Sequence, residues 1–400
     1  MKKLYILLIS LIALHDANAQ NWTILTSGTL SALSSVCFPA SDTGYISGEG
    51  GTILKTTNGG TNWTLVTPGS SSWFYSVYFV NTKTGLTTGE NGIILKTVDG
   101  GINWAPPELQ GWVYRLNSVY FPDANTGYVV GAGIPSGGGV IEKTTDGGLL
   151  WPNPIEIGIN WLESVYFPEV NTGYAVGDSG TIIKTTDEGV TWIFQSSGTI
   201  NNLYSVYFTN INTGYAVGDS GIILKTTNGG TDWINQASGT SNGLKSVYFA
   251  DLNTGYAVGN NGIILNTINS GTDWTIEFSG TANNLHSVYF TDPNTGYAVG
   301  DSGLILKTTN GGGVGIIESS FASTPMKIYP NPTHDKVTIE SSIITRNTYL
   351  SISNANGQEI IIRKIIDNKT QIDIRDIPLG VYLIRLKNEK IVEVGKIIKE

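Results

Sequence analysis

The sequence predicts an all-β protein: a seven-bladed β-propeller with four strands per blade, followed by a small Ig-like β-sandwich. Three observations lead to this prediction. A phrase of about 41 residues occurs seven times before residue 312, each copy divides into four short strand-like segments, and the repeat-free segment 326–400 has alternating apolar runs of its own. A fixed period near 40 residues with four strands per unit is typical of propellers.

Aromatic residues define the repeat. A Phe recurs at steps of 41, 42, 46, 41, 41 and 41 residues, at Phe38, Phe79, Phe121, Phe167, Phe208, Phe249 and Phe290. A Trp recurs in parallel at Trp22, Trp63, Trp104, Trp151, Trp192, Trp233 and Trp274. Within each copy, strand A reads S-V-Y-F, strand B reads G-Y-A-V-G, strand C reads I-I-L-K-T, and strand D starts at the Trp. Successive apolar residues in strands A to C indicate that neighbouring blades cover both sheet faces.

Turn residues separate the strands. The glycine of N-T-G between strands A and B, and the glycine of the B–C turn, are expected in a left-handed backbone conformation. The third copy has an expanded B–C turn at Gly133–Gly139. No G-K-[ST] follows it, so this stretch is predicted to be an insertion loop and not a phosphate-binding loop.

The two ends of the repeat region predict how the ring closes. The first Trp, Trp22, precedes any strand A, whereas the last copy ends at Gly311-Gly312-Gly313 without a Trp. The N-terminal strand is therefore expected to complete the last blade, which removes the exposed seam of an open arc.

Residues 1–19 have the pattern of a secretory signal peptide: Lys2 and Lys3, an apolar run, and small residues before cleavage between Ala19 and Gln20. The predicted divisions are 1–19 signal peptide, 20–312 propeller, 313–325 linker and 326–400 C-terminal domain. Residues 20–325 contain 9 Lys/Arg and 22 Asp/Glu, a net charge of −13. A field this negative argues against a nucleic-acid partner. No segment beyond the signal peptide is long and apolar enough for a transmembrane span.

The C–D turn carries the motif Thr-x-Asp/Asn-x-Gly-x-x-Trp, as in Thr97 to Trp104. It resembles the Asp-box, or BNR repeat, of sialidases, sortilin-type receptors and photosystem II assembly-factor propellers, and the whole phrase is most similar to the last of these. A short carboxylate or amide is expected to cap backbone N–H groups in this turn, with the Trp packed under the hairpin. Recurrence in every copy favours a structural role for the motif.

The residue inventory excludes several activities. The sialidase resemblance implies three arginines that clamp a carboxylate, but Arg115 is the only arginine in residues 20–325, and lysine lacks the planar bidentate geometry. The assembly-factor resemblance implies an arginine-lined partner surface, which this chain also lacks. Three scattered histidines and the single Cys37 predict neither a metal site nor a cofactor, and no catalytic residue is assigned.

The candidate binding residues lie where the copies differ. The segment before strand A is the most variable, and it should reach one mouth of the central channel, on the face of the B–C turns. The three tryptophans outside the repeat, Trp73, Trp112 and Trp161, all fall there, together with Tyr75, Tyr114, Arg115, Glu163 and Tyr204. Aromatic platforms flanked by a few polar groups suit a sugar ring or a peptide. Aromatic side chains that merely plug the channel are the structural alternative.

The C-terminal segment resembles the type A sorting domain of Bacteroidetes type IX secretion cargo. Its motif residues are Tyr329, Pro330, Asn331, Pro332, Gly357, Gly380, Tyr382, Lys396 and Lys399. This resemblance implies export through the periplasm and outer membrane by the type IX machinery, removal of the tail, and release or attachment at the cell surface. An ordinary Ig-like module is the alternative.

The sequence thus predicts a secreted or cell-surface recognition or adhesion module, without catalysis, for an extracellular glycan or protein. The alternative is a carbohydrate-active enzyme, not a sialidase, that uses paired carboxylates on the propeller face. Such enzymes need only two acidic groups about 5–10 Å apart.

Overall fold

The computed structural model describes residues 22–107, 114–133, 137–152, 154–158, 160–312, 326–341, 344, 348–354, 359–387 and 392–400. The predicted signal peptide, its cleavage site at Ala19 and Gln20, the predicted linker 313–325, Trp112 and Gly357 lie outside these residues. The chain divides into two compact units, Met1–Gly315 and Ile316–Glu400. Within the described ranges, no helix combines the length and hydrophobicity needed to cross a membrane.

The described strands of the first unit form seven antiparallel sheets, which are the blades. The leading strand is β1 (Thr23–Leu25). Blades 1 to 3 contain β2 (Leu33–Cys37), β3 (Gly44–Gly48), β4 (Ile53–Thr56) and β5 (Thr64–Val66); β6 (Phe74–Phe79), β7 (Gly85–Gly89) and β8 (Ile94–Thr97); β9 (Tyr114–Tyr120), β10 (Gly127–Gly133), β11 (Gly139–Thr144) and β12 (Ile155–Ile157).

Blades 4 to 7 repeat this arrangement. They contain β13 (Leu162–Glu169), β14 (Thr172–Gly177), β15 (Ile182–Thr185) and β16 (Ile193–Gln195); β17 (Leu203–Phe208), β18 (Gly214–Gly218), β19 (Ile223–Thr226) and β20 (Ile234–Gln236); β21 (Leu244–Phe249), β22 (Gly255–Gly259), β23 (Ile264–Thr267) and β24 (Thr275–Glu277); β25 (Leu285–Phe290), β26 (Gly296–Gly300) and β27 (Ile305–Thr308). Six B–C connections are 3-10 turns, Glu49–Gly51, Glu90–Gly92, Asp178–Gly180, Asp219–Gly221, Asn260–Gly262 and Asp301–Gly303.

The ring closes through the leading strand, as predicted. β1 pairs antiparallel with β27, with Thr23 opposite Lys307 and Leu25 opposite Ile305. The preceding Trp22 is fully buried and makes edge-on contacts with the rings of Tyr256 and Phe290. The last blade therefore obtains its fourth strand from the opposite end of the repeat region.

A second set of bonds joins each blade to the next. In all seven blades, the serine hydroxyl of S-V-Y-F accepts a hydrogen bond from the valine N–H of the following blade, at 3.2 to 3.4 Å. The bond from Val36 to Ser287 joins blades 1 and 7 in the same way. The tyrosines of the same motif contact one another around the inside of the ring, and Cys37 replaces the seventh. Cys37 is buried, and burial raises the pKa of its thiol.

The Asp-box turns have the predicted capping role. Asp99 Oδ1 accepts hydrogen bonds from the N–H groups of Ile102 and Asn103, at 3.0 and 2.9 Å. These bonds hold the pKa of the Asp99 carboxyl at about 2. Trp104 packs edge-on against Phe79 in the same blade.

Two details of the blades differ from the prediction. The glycine of N-T-G is not left-handed; in blade 5 it begins strand B, and a Cβ on Gly214 would lie 2.4 Å from the ring of Phe208. The reason for glycine there is close packing under the phenylalanine. Strand D starts after the Trp, by one residue in most blades and at Ile155 in blade 3, and in blade 2 the described part is a single bridge between Lys96 and Ala105.

We expect the free energy of unfolding of the propeller to fall as pH rises, because a buried carboxyl contacts Trp22 at the start of the closing strand. Trp22 donates its indole N–H to Glu277 Oε2 at 2.8 Å, and burial raises the pKa of the Glu277 carboxyl from 4.5 to about 8. Between these two values the folded chain keeps a proton that the unfolded chain releases. Stability should therefore fall with increasing pH across that window, by about 1.4 kcal/mol per pH unit from this group.

Glu277→Gln tests this pH dependence because the amide keeps an acceptor for Trp22 but cannot ionise. Urea unfolding at about pH 5 and about pH 8 should show a variant that gains stability over the wild type as pH rises. Glu156→Gln, on exposed β12, is the control. Parallel pH curves for Glu277→Gln and the wild type would contradict the prediction.

The second unit contains two sheets with a common apolar core. Strands β28 (Lys327–Tyr329), β29 (Lys336–Glu340) and β32 (Lys369–Asp373) form one sheet, and β31 (Glu359–Ile365), β30 (Thr348–Asn354), β33 (Gly380–Lys387) and β34 (Val392–Lys399) form the other in that order. The core includes Val337, Ile352, Ile372, Ile384 and Ile397. This arrangement of a small β domain agrees with the predicted sandwich.

Candidate ligand-binding site at the mouth of the ring

A β-bulge near the start of strand A builds the mouth of the ring. In blade 4, Leu162 pairs with Gly177 and Ser164 with Val176, which leaves Glu163 unpaired between them. The same register shift occurs in every blade. The seven residues at this position, which we call the bulge residues, are Ser34, Tyr75, Asn117, Glu163, Tyr204, Lys245 and His286.

The B–C turn lies beside the bulge, as the sequence predicted. The N–H of Asp178, the first turn residue of blade 4, donates to the Trp161 carbonyl at 3.0 Å, and Glu90 N–H donates likewise to Trp73 at 2.9 Å. Glycine before the turn permits this approach, because a Cβ on Gly177 would collide with the Trp161 carbonyl oxygen. The turn carboxylates and the variable residues therefore face the same mouth.

One group at the mouth is aromatic and centred on Arg115. The Arg115 guanidinium carbon lies 4.4 Å from the ring centre of Tyr75 and 5.9 Å from that of Trp161. The rings of Trp73 and Tyr75 lie 5.8 Å apart at 34°. Trp73 donates its indole N–H to Ser34 Oγ at 2.8 Å. Contacts between a cation and several rings favour a rigid aromatic surface here.

The side chain of Asn117 fixes the orientation of Arg115. Its Nε donates to Asn117 Oδ1 at 2.8 Å, and Asn117 in turn donates to the Leu162 carbonyl of the next blade at 2.9 Å. The bulge residue of blade 3 thus orients the guanidinium over the rings of blades 2 and 4.

A second group contains carboxyls and Lys245. Burial is the main cause that raises the pKa of the Glu163 carboxyl, and the neighbouring Asp178 carboxyl raises it further. The cations Arg115 and Lys245 act in the opposite direction. Burial and the neighbouring Asp219 also raise the pKa of Asp178. The site therefore holds several incompletely solvated carboxyls beside two cations.

Lys245 joins this group to Tyr204. Its ammonium lies 3.3 Å from the ring centre of Tyr204, and burial lowers its pKa although Asp219 and Glu163 oppose this. The Tyr204 hydroxyl donates to Asp219 Oδ2 at 3.0 Å. Burial raises the pKa of Tyr204 to about 12, so its hydroxyl keeps its proton near neutral pH.

The structure places six of the eight predicted site residues at this mouth: Trp73, Tyr75, Arg115, Trp161, Glu163 and Tyr204. Trp112 lies outside the described residues, and for Tyr114 only its backbone position at the start of β9 is described. Sequence reasoning missed Lys245 and the pair of His286 and Asp301, whose nearest atoms lie 2.7 Å apart. Lys245 and His286 occupy the same position of the repeat as Glu163, and this equivalence was the sequence signal that could have identified them. In the described ranges, no cluster of three or more His, Cys, Asp or Glu is arranged to hold a metal ion.

The predicted sorting residues meet at the end of the second unit. Asn331 binds the outer edge of β34, since its amide donates to the Lys396 carbonyl at 2.7 Å and its oxygen accepts from Ile398 N–H at 2.8 Å. Lys399 is 7% exposed, and its ammonium donates to the carbonyls of Ile374, Arg375 and Ile377 at 2.6 to 2.7 Å.

The remaining described motif residues differ in role. The Tyr382 hydroxyl donates to the Pro378 carbonyl at 2.7 Å, and Gly380, two residues earlier, begins β33 with a positive φ of 151°. The bonds Tyr329–Pro330 and Asn331–Pro332 are both cis. Lys396 is exposed, unlike Lys399. Most of the motif therefore serves the fold of the domain itself.

Seven closed blades with Asp-box turns, joined to a small β domain with sorting motifs, define an exported Asp-box propeller. Residues 14–105, 152–227 and 227–309, together more than half of the chain, match the family described as photosynthesis system II assembly factor YCF48, and the chain belongs to this family. Residues 327–400 match the secretion system C-terminal sorting domain. This domain directs the protein through the outer membrane to the medium or the cell surface and engages the type IX secretion machinery.

Solved structures agree with the fold. "YCF48 bound to D1 peptide" is 21% identical with a TM-score of 0.60, covering 72% of this chain and 97% of that chain. YCF48 from Cyanidioschyzon merolae is 19% identical with a TM-score of 0.61, covering 72% and 98%. The GH74 xyloglucanase from Xanthomonas campestris is 12% identical with a TM-score of 0.55, covering 80% and 59%. At these identities the likeness shows the fold alone. No curated protein matches the chain significantly.

Proposed function

We propose that this protein is a secreted recognition or adhesion module that binds an extracellular glycan or protein at the mouth of its propeller. The observation that carries the proposal is the cluster of Trp73, Tyr75, Arg115 and Trp161 beside the carboxyls of the bulge and turns. The proposed mature chain begins at Gln20, with the propeller over 20–312, a linker over 313–325 and the sorting domain over 326–400.

Three features support binding at this mouth. Its aromatic side chains are partly buried and held in place by neighbours, so little side-chain entropy would be lost on binding. Aromatic and arginine side chains in a preformed surface are typical of interaction hot spots. Carboxyls and hydroxyls at the margin supply the few polar groups that orient a sugar or a peptide. A relative in the same family was solved bound to a peptide.

Replacing Trp73 and Trp161 with Ala is expected to weaken binding about tenfold or more, because each loses a ring of the aromatic surface. The full chain and both variants would be measured on an array of neutral and acidic oligosaccharides and on a panel of synthetic peptides. Phe194→Ala is the matched control, since Phe194 is 60% exposed on β16, away from the bulge residues. Unchanged binding by both tryptophan variants, with unchanged thermal unfolding, would refute the proposed site.

A glycoside hydrolase is the second candidate, and one observation favours it. Burial raises the pKa of the Glu163 carboxyl, the nearby Asp178 carboxyl raises it further, and glycoside hydrolases use a pair of neighbouring carboxyls. Turnover of oligosaccharides that is lost in Glu163→Gln would establish this activity. Binding without turnover in the wild type would leave the recognition module as the function.

A further inference from the structure

The interface between blades 2 and 3 lacks a hydrogen bond that joins every other pair of neighbouring blades. In six interfaces, the tyrosine of strand B donates its hydroxyl to a carbonyl in the C–D turn of the next blade, at 2.6 to 2.8 Å. In blade 2, Leu86 stands at the position of this tyrosine and has no hydroxyl. A Cβ added to Gly148 would lie 2.8 Å from Leu86, and one added to Gly101 would lie 2.9 Å from Tyr45. Leucine therefore occupies the place of the tyrosine ring without making its bond.

The lysine beside this position also lacks its usual partner. In five interfaces, the lysine of strand C donates to the same carbonyl as the tyrosine, at 2.6 to 2.7 Å. The equivalent residue of blade 2 is Lys96, which pairs with Leu86 and so lies on the same side of the blade. Among the described residues, its ammonium donates to no carbonyl; burial lowers its pKa, and Asp146 of blade 3 acts in the opposite direction.

Two buried polar side chains replace apolar ones at the same interface. Thr88 has the position of the strand-B valine of blades 3 to 7, and its buried hydroxyl has no hydrogen-bond partner. Glu142 has a position that is leucine or isoleucine in the other six blades. It is 5% exposed, and its carboxyl makes no hydrogen bond within the described ranges. Buried polar groups without partners weaken the interface that contains them.

Strand register places both side chains between blades 2 and 3. Thr88 pairs with Ile94, and Glu142 pairs with Val129. Directly paired residues of antiparallel strands point to the same side of a sheet. Ile94 and Val129 belong to one apolar cluster, which joins the two blades and also contains Leu86. Thr88 and Glu142 therefore border the same cluster from opposite blades.

No neighbouring charge compensates Glu142. Strands β6, β7 and β10 carry no charged residue. Burial, and no described charge, raises the pKa of the Glu142 carboxyl from 4.5 to about 7. The charged residues on β8, β9, β11 and β12 and in the C–D turn of blade 3 are Lys96, Arg115, Lys143, Glu156 and Asp146.

The two blades remain joined through strand A. The Val119 N–H donates to Ser76 Oγ at 3.3 Å, and the Tyr78 hydroxyl donates to the Phe121 carbonyl at 2.9 Å. Both bonds have counterparts in other interfaces, such as those of Val206 and Tyr207. The missing and weakened contacts thus belong to strands B and C alone.

We propose that the interface between blades 2 and 3 is a proton-controlled joint of the ring, closed while Glu142 is protonated and opened between strands B and C when it ionises. The bonds of strand A form the hinge. Ionisation favours opening because a buried carboxylate without a counter-ion gains solvation when water reaches it. The joint does not depend on the proposed ligand. It crosses the aromatic group at the mouth, since Arg115 of blade 3 lies over Tyr75 of blade 2, so opening changes the geometry of that surface.

The direction of the pH effect follows from the two states. In the open state the Glu142 carboxyl is solvated, and its pKa returns towards 4.5. Between this value and about 7 the closed state keeps a proton that the open state releases. The equilibrium constant for opening should therefore rise about tenfold per pH unit in this range and level off above it.

Two introduced thiols in the full chain measure the opening. Val129→Cys places a thiol in this interface, and Ala216→Cys places one at the same repeat position between blades 4 and 5, where the Tyr174 bond is present. Each is labelled with a dipyridyl disulfide, and peptide mass spectrometry separates the label from that on Cys37. Dividing the first rate by the second cancels the pH dependence of the reagent. The ratio should reach about tenfold or more at neutral pH and rise about tenfold per pH unit from about pH 5 to about pH 7.

Restoring the repeat residues should close the joint. Added to Val129→Cys, Glu142→Leu should remove the rise with pH, and Leu86→Tyr should lower the ratio about tenfold by supplying the missing hydroxyl. Glu156→Gln, exposed on β12 of the same blade, and Glu277→Gln, in blade 6, are controls that should keep the rise. Ile94→Cys reports on the same interface from blade 2 and should give the same pH response. Thermal unfolding shows that the variants are folded.

Two results would overturn the proposal. A labelling ratio near one at every pH would mean that this interface is as closed as the one between blades 4 and 5. A rise with pH that persists in Glu142→Leu would assign the opening to another group.

Discussion

Deletion of residues 20–27 is expected to destabilise the whole propeller and not only its last blade. The deletion removes β1, exposes the edge of β27, and empties the site of Trp22, which is completely buried between Tyr256 and Phe290. Trp22→Ala alone should cost about 3–5 kcal/mol, the range for a large buried aromatic. The deletion should cost more, because it also removes the ladder that closes the ring.

Urea and thermal unfolding of the full chain measure this effect. Ile24→Ser is the control on the same strand, since Ile24 is 54% exposed and its loss should change stability by less than about 0.5 kcal/mol. If the deletion unfolds at the same denaturant concentration as the wild type, the leading strand does not close the ring.

The second large effect is expected in the sorting domain, where Lys399→Met should abolish the folded state. Methionine matches the length of the lysine stem but leaves the carbonyls of Ile374, Arg375 and Ile377 without their donor in a buried site. Each unsatisfied buried acceptor costs about 1–3 kcal/mol. A domain of this size has only a few kcal/mol of stability in total, so the loss exceeds what it can tolerate.

Lys396→Met provides the contrast, because Lys396 is exposed on the same strand and its loss should leave the fold intact. Hydrogen exchange of the sorting-domain amides distinguishes the two variants without depending on export. Full protection in Lys399→Met would show that the three carbonyls do not require the ammonium.

The architecture of the propeller was predictable because the same sequence phrase occurs in every blade. Seven copies of one phrase specify the blade, and the unmatched Trp22 at one end with the missing Trp at the other specifies the closure. The reason for the N-T-G glycine was predicted wrongly. Turn glycines suggest a left-handed backbone, but here the constraint comes from the phenylalanine of the neighbouring strand, as between Phe208 and Gly214. A contact across strands cannot be read from a local turn pattern.

The mouth was predictable in location but not in its pairings. The variable aromatic residues pointed to it, because only non-repeated positions can be specific to a ligand. The position of Lys245 over Tyr204, and of Arg115 between Tyr75 and Trp161, depends on the distance between adjacent blades. The bulge that turns these residues towards the mouth also has no sequence signal that we recognised.

In the sorting motif, too, the sequence predicted the location of the domain but not the contacts of its individual residues. Its order along the chain indicated the domain, but not that Lys399 points inward while Lys396, three residues earlier, points outward. Strand alternation alone would separate them, yet the partners of Lys399 come from the segment that precedes β33. Which lysine is structural therefore depends on tertiary packing.

The pairing of β1 with β27 has a consequence for the order in which the chain is synthesised and folds. Translation produces Thr23 early, but its partner Lys307 is made 284 residues later. The first strand to be synthesised, β1, is thus the last to pair, and the seventh blade remains incomplete until β27 has been made. Contacts so distant in sequence slow folding and leave intermediates prone to aggregation. A chain truncated before β27 would leave β1 without its pairing partner, and chaperones and proteases can recognise such an unpaired strand.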